Sequence, residues 1–237
     1  MAHAWMPGAR RIRAVTDGGP LQGGAPRTVW LTLGADGRAV SVLSAAQRLI
    51  QYGRPCHLVW DPLTGEMVQL IPVLRAGCAL GAPERLDVCA DQGPVRLPRV
   101  NAEGRICVQI GVLGRPWEPF TNGPMAGLAA ILNWLDSWNV PRRWPAGRPV
   151  PFHDPDRPRS RALWARGGHF GASQVPECDS IGPGAIDTER VTGTHAVPVP
   201  AVPSRVLAAP VHAGVALGLD HLPEPDVTAA ELIAATR

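Results

Sequence analysis

The chain has 237 residues, 45% of them hydrophobic, with mean hydropathy near zero, which is typical of a globular protein and excludes general disorder. The net charge is only +3 and the arginines are scattered, so we expect no nucleic-acid partner. The longest apolar runs, such as residues 206–210, are much shorter than the roughly 20 residues that cross a bilayer, so we expect no membrane association.

The N-terminal half predicts a strand followed by a helix. Residues 1–25 are rich in glycine and proline and are expected to wrap the surface. They contain no apolar stretch of a secretory signal, so we expect a cytoplasmic protein. Residues 27–33 alternate apolar and polar side chains, which predicts a strand. Residues 41–51 repeat apolar side chains on one helical face, which predicts a helix.

The next segments predict a hairpin, one further strand and a longer helix. Residues 56–60 and 66–71 read as two strands joined by a turn that contains proline and glycine. Residues 105–113 alternate as a strand and end at a glycine. The three- and four-residue spacing of apolar side chains over residues 124–138 predicts a helix, which Pro141 ends.

The remaining sequence predicts a loop, a linker and a terminal helix. Residues 142–161 are rich in proline and arginine and predict a long loop. We expect one domain over residues 1–190, a Pro/Ala-rich linker over 191–226, and a short helix within 227–237. The order of elements predicts an α/β domain with a central mixed sheet flanked by helices. Five cysteines without a C-x-x-C pair argue against both a disulfide framework and a structural zinc knuckle.

Four collinear segments resemble one known family. They are residues 26–32 (PRTVWLT), 55–65 (PCHLVWDPLTG), 106–114 (ICVQIGVLG), and 173–177 (SQVPE) continuing to 183–187 (PGAID). Together they resemble the N-acetylmuramoyl-L-alanine amidases, whose fold is shared with peptidoglycan recognition proteins, and in particular amidase domains of actinobacterial phage endolysins. The similarity covers about residues 5–190, and its specificity comes from the shared order and spacing of the four segments.

The resemblance implies a zinc enzyme whose metal ligands are replaced in this chain. The position of the first histidine ligand, after the Val-Trp pair, holds Leu31, and that of the second holds Ala172. The position of the third ligand, an aspartate or cysteine before the Pro-Gly pair, holds Gly182. The acidic general base of the inner strand corresponds to Gly111, and a further common histidine corresponds to Ser180.

These replacements predict that the chemistry of the family is lost. A catalytic zinc needs three protein ligands, and the side chains of Leu, Ala and Gly offer no lone pairs. Without the metal and the base, nothing lowers the pKa of the attacking water. We therefore expect no metal and no cofactor. If the backbone persists, Leu31, Gly111, Ala172 and Gly182 are expected to surround one emptied, apolar pocket.

Three other residues are weak candidates for a rebuilt site. His169 lies three residues before Ala172, but a three-residue step along a strand turns it away, and we interpret it as a loop histidine bonded to backbone. Cys178 is interpreted as a packed thiol, with the alternative of a nucleophile assisted by His169 or Asp179. A zinc amidase that uses such ligands outside the family pattern is a further alternative.

The predicted ligand cleft includes four more residues. His57 corresponds to a position near the family's cleft, although a satisfied structural histidine is the favoured interpretation. Trp30 and Trp60 could line the groove, and core packing explains them equally well. Gln174 belongs to a loop that is retained from the family motif.

Two functional classes follow from this pattern. The favoured one is a metal-free, hydrolytically inactive binding protein whose cleft takes a muropeptide, a glycopeptide or a similar small molecule. The alternative is a scaffold recruited to metal-independent chemistry, such as cyclisation or isomerisation in a cytoplasmic biosynthetic pathway, which acts by orienting its substrate. Collapse of the cleft after loss of selection is the third possibility. The sequence does not define the oligomeric state.

Overall fold

The computed structural model describes residues 1–34, 40–81, 99–150, 159–178, 180 and 182–194. Within these residues, six strands form one sheet in the order β1-β4-β3-β5-β2-β6. The strands are β1 (Arg10–Arg11), β2 (Arg27–Thr32), β3 (Leu58–Trp60), β4 (Met67–Gln69), β5 (Cys107–Val112) and β6 (Gly168–Gly171). The helices are α1 (Val42–Gln51), α2 (Leu128–Ser137), α3 (Arg161–Ala165) and α4 (Thr188–Thr192). The predicted α/β class with a mixed sheet is confirmed.

The sheet contains two groups of strands with opposite directions. Strands β2, β3, β5 and β6 run parallel to one another, whereas β3 pairs with β4 antiparallel and β1 pairs with β4 parallel. β1 and β4 therefore run against the other four. The predicted hairpin is the β3–β4 pair, with its strands shorter than expected at both outer ends.

Helix α1 covers one face of the sheet, which we call the α1 face. Ser41 caps the helix, since its hydroxyl accepts a hydrogen bond from the Ser44 backbone N–H at 3.1 Å. The buried side of α1 packs in one cluster with alternate strand residues, among them Val29 and Leu31 of β2. Alternation along a strand directs these two side chains to the face opposite that of Trp30. The predicted helix over residues 41–51 is confirmed.

Helix α2 covers the other face, which we call the α2 face. Its apolar side chains pack in one cluster with Trp30, Trp60 and Ile110. The helix begins at Leu128, four residues later than its apolar spacing predicts. The reason is local backbone geometry, because Met125 and Gly127 have φ angles of 50° and 82°, outside the helical region.

Several elements were not predicted from the sequence. The N-terminal segment contributes β1 to the sheet, and residues 168–171 form β6 beside β2. Helix α4 follows Asp187, whose carboxylate caps it. In contrast, α3 is the short element that the sequence predicts before Gly167, although its type was not predicted. The predicted linker beyond residue 194 and the helix over 227–236 lie outside the described residues. No helix within the described ranges is long and apolar enough to cross a membrane.

Candidate functional site

The four positions that the resemblance matches to zinc ligands and a general base meet at the ends of neighbouring strands. Leu31 and Gly111 are direct partners in the pairing of β2 with β5. Ala172 follows β6 and is buried in the same cluster as Leu31 on the α1 face. Gly182 lies against Thr32, the last residue of β2, so closely that a Cβ added at Gly182 would collide with the Thr32 hydroxyl. The structure thus brings the four positions to one end of the sheet.

The space beside these residues is filled. A Cβ added at Gly111 would lie 3.1 Å from both methyl carbons of Leu33 and 3.2 Å from the sulfur of Cys56. These distances are tighter than ordinary van der Waals contact, so no room for a larger side chain exists at that point. At Gly182 the Thr32 side chain occupies the corresponding space. The prediction of open, emptied space at Gly111 and Gly182 is therefore wrong.

The side chains at the three positions matched to zinc ligands do not fit a zinc ion. Leu31, Ala172 and Gly182 carry no nitrogen, oxygen or sulfur in their side chains. Among the described residues, no group of three or more His, Cys, Asp or Glu side chains is arranged to hold a metal ion.

His169 is fully buried in β6 and lies beside Thr28, on the α2 face. This orientation agrees with the expected turn away from Ala172. Its interpretation as a loop histidine bonded to backbone is wrong, because its Nδ1 accepts a hydrogen bond from the Trp30 indole at 3.1 Å. The indole of Trp144 lies against the imidazole, with ring centroids 6.2 Å apart. The His169 Nε2 has no hydrogen-bond partner among the described residues, and burial lowers the histidine pKa to about 4.

His57 is a satisfied core residue, as its favoured interpretation expects. Its Nδ1 accepts a hydrogen bond from the Gln109 backbone N–H at 3.0 Å, so its proton resides on Nε2. That Nε2 lies 2.9 Å from the Arg75 carbonyl oxygen, to which it donates. Burial lowers the pKa of His57 to about 4, so the ring is neutral at pH 7.

The two tryptophans of the predicted cleft are core residues. Trp30 and Trp60 are fully buried on the α2 face, whereas Leu31 lies on the α1 face. The Trp60 indole donates to the Ala126 carbonyl oxygen at 2.8 Å. This corrects the prediction that these side chains line a groove beside Leu31.

Cys178 is a buried thiol on the α1 face. Burial raises its pKa, which disfavours the thiolate that a nucleophile requires. Its suggested partner His169 packs on the α2 face, and Asp179 lies outside the described residues. These contacts give no support to a Cys178 nucleophile.

Gln174 organises the chain next to the replaced positions. Its side-chain carbonyl oxygen accepts hydrogen bonds from the Trp144 indole at 2.7 Å and from the Gly171 backbone N–H at 3.0 Å. Its amide nitrogen donates to the Gly147 carbonyl oxygen at 2.7 Å. One side chain therefore ties the segment 144–147 to the turn that follows β6. We call this arrangement the Gln174 wall.

Sequence reasoning missed two further features, one at this end of the sheet and one at the opposite end of β2, where Arg27 begins the strand. The hydroxyls of Thr32 and Ser173 are buried without hydrogen-bond partners among the described residues. Arg27 is a buried cation whose guanidinium lies 4.3 Å from the ring centre of Trp164 and 3.7 Å from the Glu103 carboxylate. Strand alternation could have placed Arg27 on the α1 face with Val29, but its partners follow only from the tertiary structure.

The chain was also compared with known proteins. No protein-family model and no curated protein sequence matches it. Among solved structures, it is similar to the endolysin N-acetylmuramoyl-L-alanine amidase LysCS from Clostridium intestinale, with 14% identity and a TM-score of 0.46, over 81% of this chain and 97% of that one. It is also similar to the Staphylococcus aureus hydrolase AmiA, with 9% identity and a TM-score of 0.41, over 70% of this chain and 65% of that one.

Proposed function

We propose that this chain is a non-hydrolytic, metal-independent binding protein of amidase architecture that recognises a muropeptide or a related glycopeptide. One observation carries the proposal. The three positions that the resemblance matches to zinc ligands hold Leu31 and Ala172, which pack in one apolar cluster, and Gly182, which packs against Thr32. Side chains of these three types offer no lone pairs for a metal.

The same geometry argues against an alternative hydrolytic apparatus. The inner-strand position of the general base is Gly111, and its surroundings are the hydrocarbon of Leu33 and the Cys56 thiol. Burial raises the pKa of Cys56 to about 12, so this thiol is protonated and cannot act as a base at neutral pH.

The Gln174 wall supports a role in binding. Its three hydrogen bonds hold the segment 144–147 against the turn that contains Ala172. Gln174 is half-buried, and breaking its hydrogen bonds costs free energy, so they hold a recognition surface in a fixed shape.

The binding part is tested by co-sedimentation of the full chain with purified peptidoglycan sacculi. We expect saturable retention of the wild-type protein. Replacing Gln174 with Ala should weaken retention about fivefold, which corresponds to about 1 kcal/mol for lost hydrogen bonds. The matched control is Gln51→Ala, because Gln51 is exposed at the end of α1. Urea unfolding of both variants verifies that they are folded.

The outcomes separate the two parts of the proposal. Failure of the wild-type protein to sediment with sacculi would refute peptidoglycan recognition. Metal analysis of protein purified with excess zinc should give far less than one zinc per chain. A stoichiometric, tightly bound zinc, or release of peptide from sacculi that a chelator abolishes, would refute the loss of metal-dependent hydrolysis.

A further inference from the structure

A cleft with a volume of about 360 Å³ lies at the β1 edge of the sheet. One side is the extended segment that follows β1, where the Ala14 backbone N–H donates to the Leu70 carbonyl oxygen at 3.0 Å. The other side is the chain that follows β4. The side chains that matter for its chemistry are Arg13, Val15, Asp17, Pro72 and Arg75.

The cleft is remote from the replaced zinc positions. Strands β4 and β3 separate β1 from β5, so the lateral distance is about 14 Å at the usual strand spacing. β1 also runs against β2 and β5, so the chain that leaves β1 is at the opposite end of the sheet from Leu31 and Gly111. A ligand in this cleft therefore does not depend on the proposed peptidoglycan site.

The charges around the cleft leave one positive group in excess. Asp17 accepts two hydrogen bonds from the Arg75 guanidinium, at 2.8 Å and 3.0 Å. These bonds lower the pKa of Asp17 against the effect of its partial burial, and the charge of Arg13 lowers it further. Arg13 is therefore close enough to act on this pair, yet it forms no hydrogen bond or ion pair of its own within the described ranges.

The salt bridge also preorganises Arg75. Asp17 engages Nε and Nη2 of the guanidinium, and no described residue takes a hydrogen bond from Nη1. The Asp17 carboxylate is fixed in turn by the Gly19 backbone N–H at 2.8 Å. A guanidinium held in this way loses little conformational entropy when it binds an anion.

We propose that this cleft binds a small molecule that carries one oxyanion group, a carboxylate or a phosphate, on a short apolar body. Arg13 and the free edge of Arg75 bind the oxyanion, because charge-assisted hydrogen bonds from guanidinium groups are the strongest available here. Val15, a residue that is 96% exposed, supplies apolar contact together with the half-buried Pro72. The volume lies within the range of small-molecule sites.

The test uses isothermal titration of the full chain with three defined probes. N-acetyl-L-leucine carries a carboxylate on an apolar body, its primary amide has the same body without the charge, and inorganic phosphate has the charge alone. We expect saturable millimolar binding of at least one anionic probe, and weaker binding of the amide. Whichever anionic probe binds saturably, the carboxylate or the phosphate, shows which of the two oxyanions the cleft recognises.

A matched pair of variants assigns the binding to the cleft. Arg13→Gln should lower the affinity for the anionic probe about tenfold, which corresponds to ~1.4 kcal/mol. Arg10→Gln removes the same charge from an exposed position of β1 that does not line the cleft, and it should change affinity less than about twofold. The proposal is overturned if neither anion saturates, if the amide binds as well as the acid, or if the two variants weaken binding equally. None of these outcomes bears on sedimentation with sacculi.

Discussion

Two buried neutral histidines make the stability of this fold dependent on pH. His57 and His169 are both fully buried, and burial lowers each pKa from the ordinary 6.5 to about 4. In the unfolded chain both rings take up a proton near pH 6.5, whereas in the folded protein they stay neutral until about pH 4. The unfolded state therefore binds more protons between these values, and stability is present above pH 6.5 and lost as the pH falls toward 4.

The size of the effect follows from the two pKa values. The linkage slope approaches about 1.4 kcal/mol per pH unit for each histidine inside this window. Between pH 7 and pH 5 each histidine therefore lowers the free energy of unfolding by about 2 kcal/mol, and the pair lowers it by about 4 kcal/mol. That is a large part of the roughly 5–15 kcal/mol by which a domain is stable. Asp17 does not contribute in this window, because its lowered pKa places its loss of stability below pH 4.

The assay is urea unfolding at pH 7, 6 and 5 for the wild type and two variants. His169→Gln keeps an acceptor for the Trp30 indole but cannot titrate, so the loss of stability between pH 7 and pH 5 should fall by about 2 kcal/mol. The control is His3→Gln, since His3 is exposed. An unchanged pH dependence in His169→Gln, or an equal change in His3→Gln, would refute the role of burial.

Three further predictions concern the packed end of the sheet. Gly111→Ala should lower the free energy of unfolding by about 1 kcal/mol, because the new methyl group crowds Leu33 and Cys56, and an unchanged urea midpoint would contradict this packing. Thr32→Val should raise it by about 1 kcal/mol, because the buried hydroxyl has no partner among the described residues, and a destabilised variant would indicate a partner such as an ordered water. Native Cys178 should resist alkylation at pH 8 and react after unfolding, as followed by mass spectrometry; rapid modification of the folded protein would restore the nucleophile hypothesis.

Local sequence patterns were sufficient to predict the strands and helices whose apolar residues recur with a strong periodicity. The alternation around Trp30 and the helical repeat from Val42 to Gln51 each encode which side chains are buried, and both elements form within one residue of their predicted bounds. The β3–β4 hairpin follows from its turn residues in the same way. In each case the information lies within the segment itself, so no distant contact is needed to define it.

The missed elements depend on distant contacts. Strand β6 has glycine at both ends and only His169 and Phe170 between them, so its sequence contains no recognisable alternation. It is a strand because it pairs with β2, and its histidine is held by Trp30, which is 139 residues away in the chain. A histidine on such a segment cannot be assigned a partner without the tertiary structure.

The packing around Gly111 and Gly182 changes what the absence of a side chain at these positions implies. A glycine where the resemblance expects a larger polar side chain suggests empty space only if the neighbouring side chains stay in place. Protein interiors are close-packed, so neighbours tend to fill such spaces. Here Leu33, Cys56 and Thr32 occupy the space beside the two glycines. Under the proposed function, a ligand would meet packed side chains beside these glycines, and the Gln174 wall is the ordered surface next to them. Substitutions of Gly111 and Thr32 should therefore change the stability of the fold, whereas substitution of Gln174 should change retention on peptidoglycan.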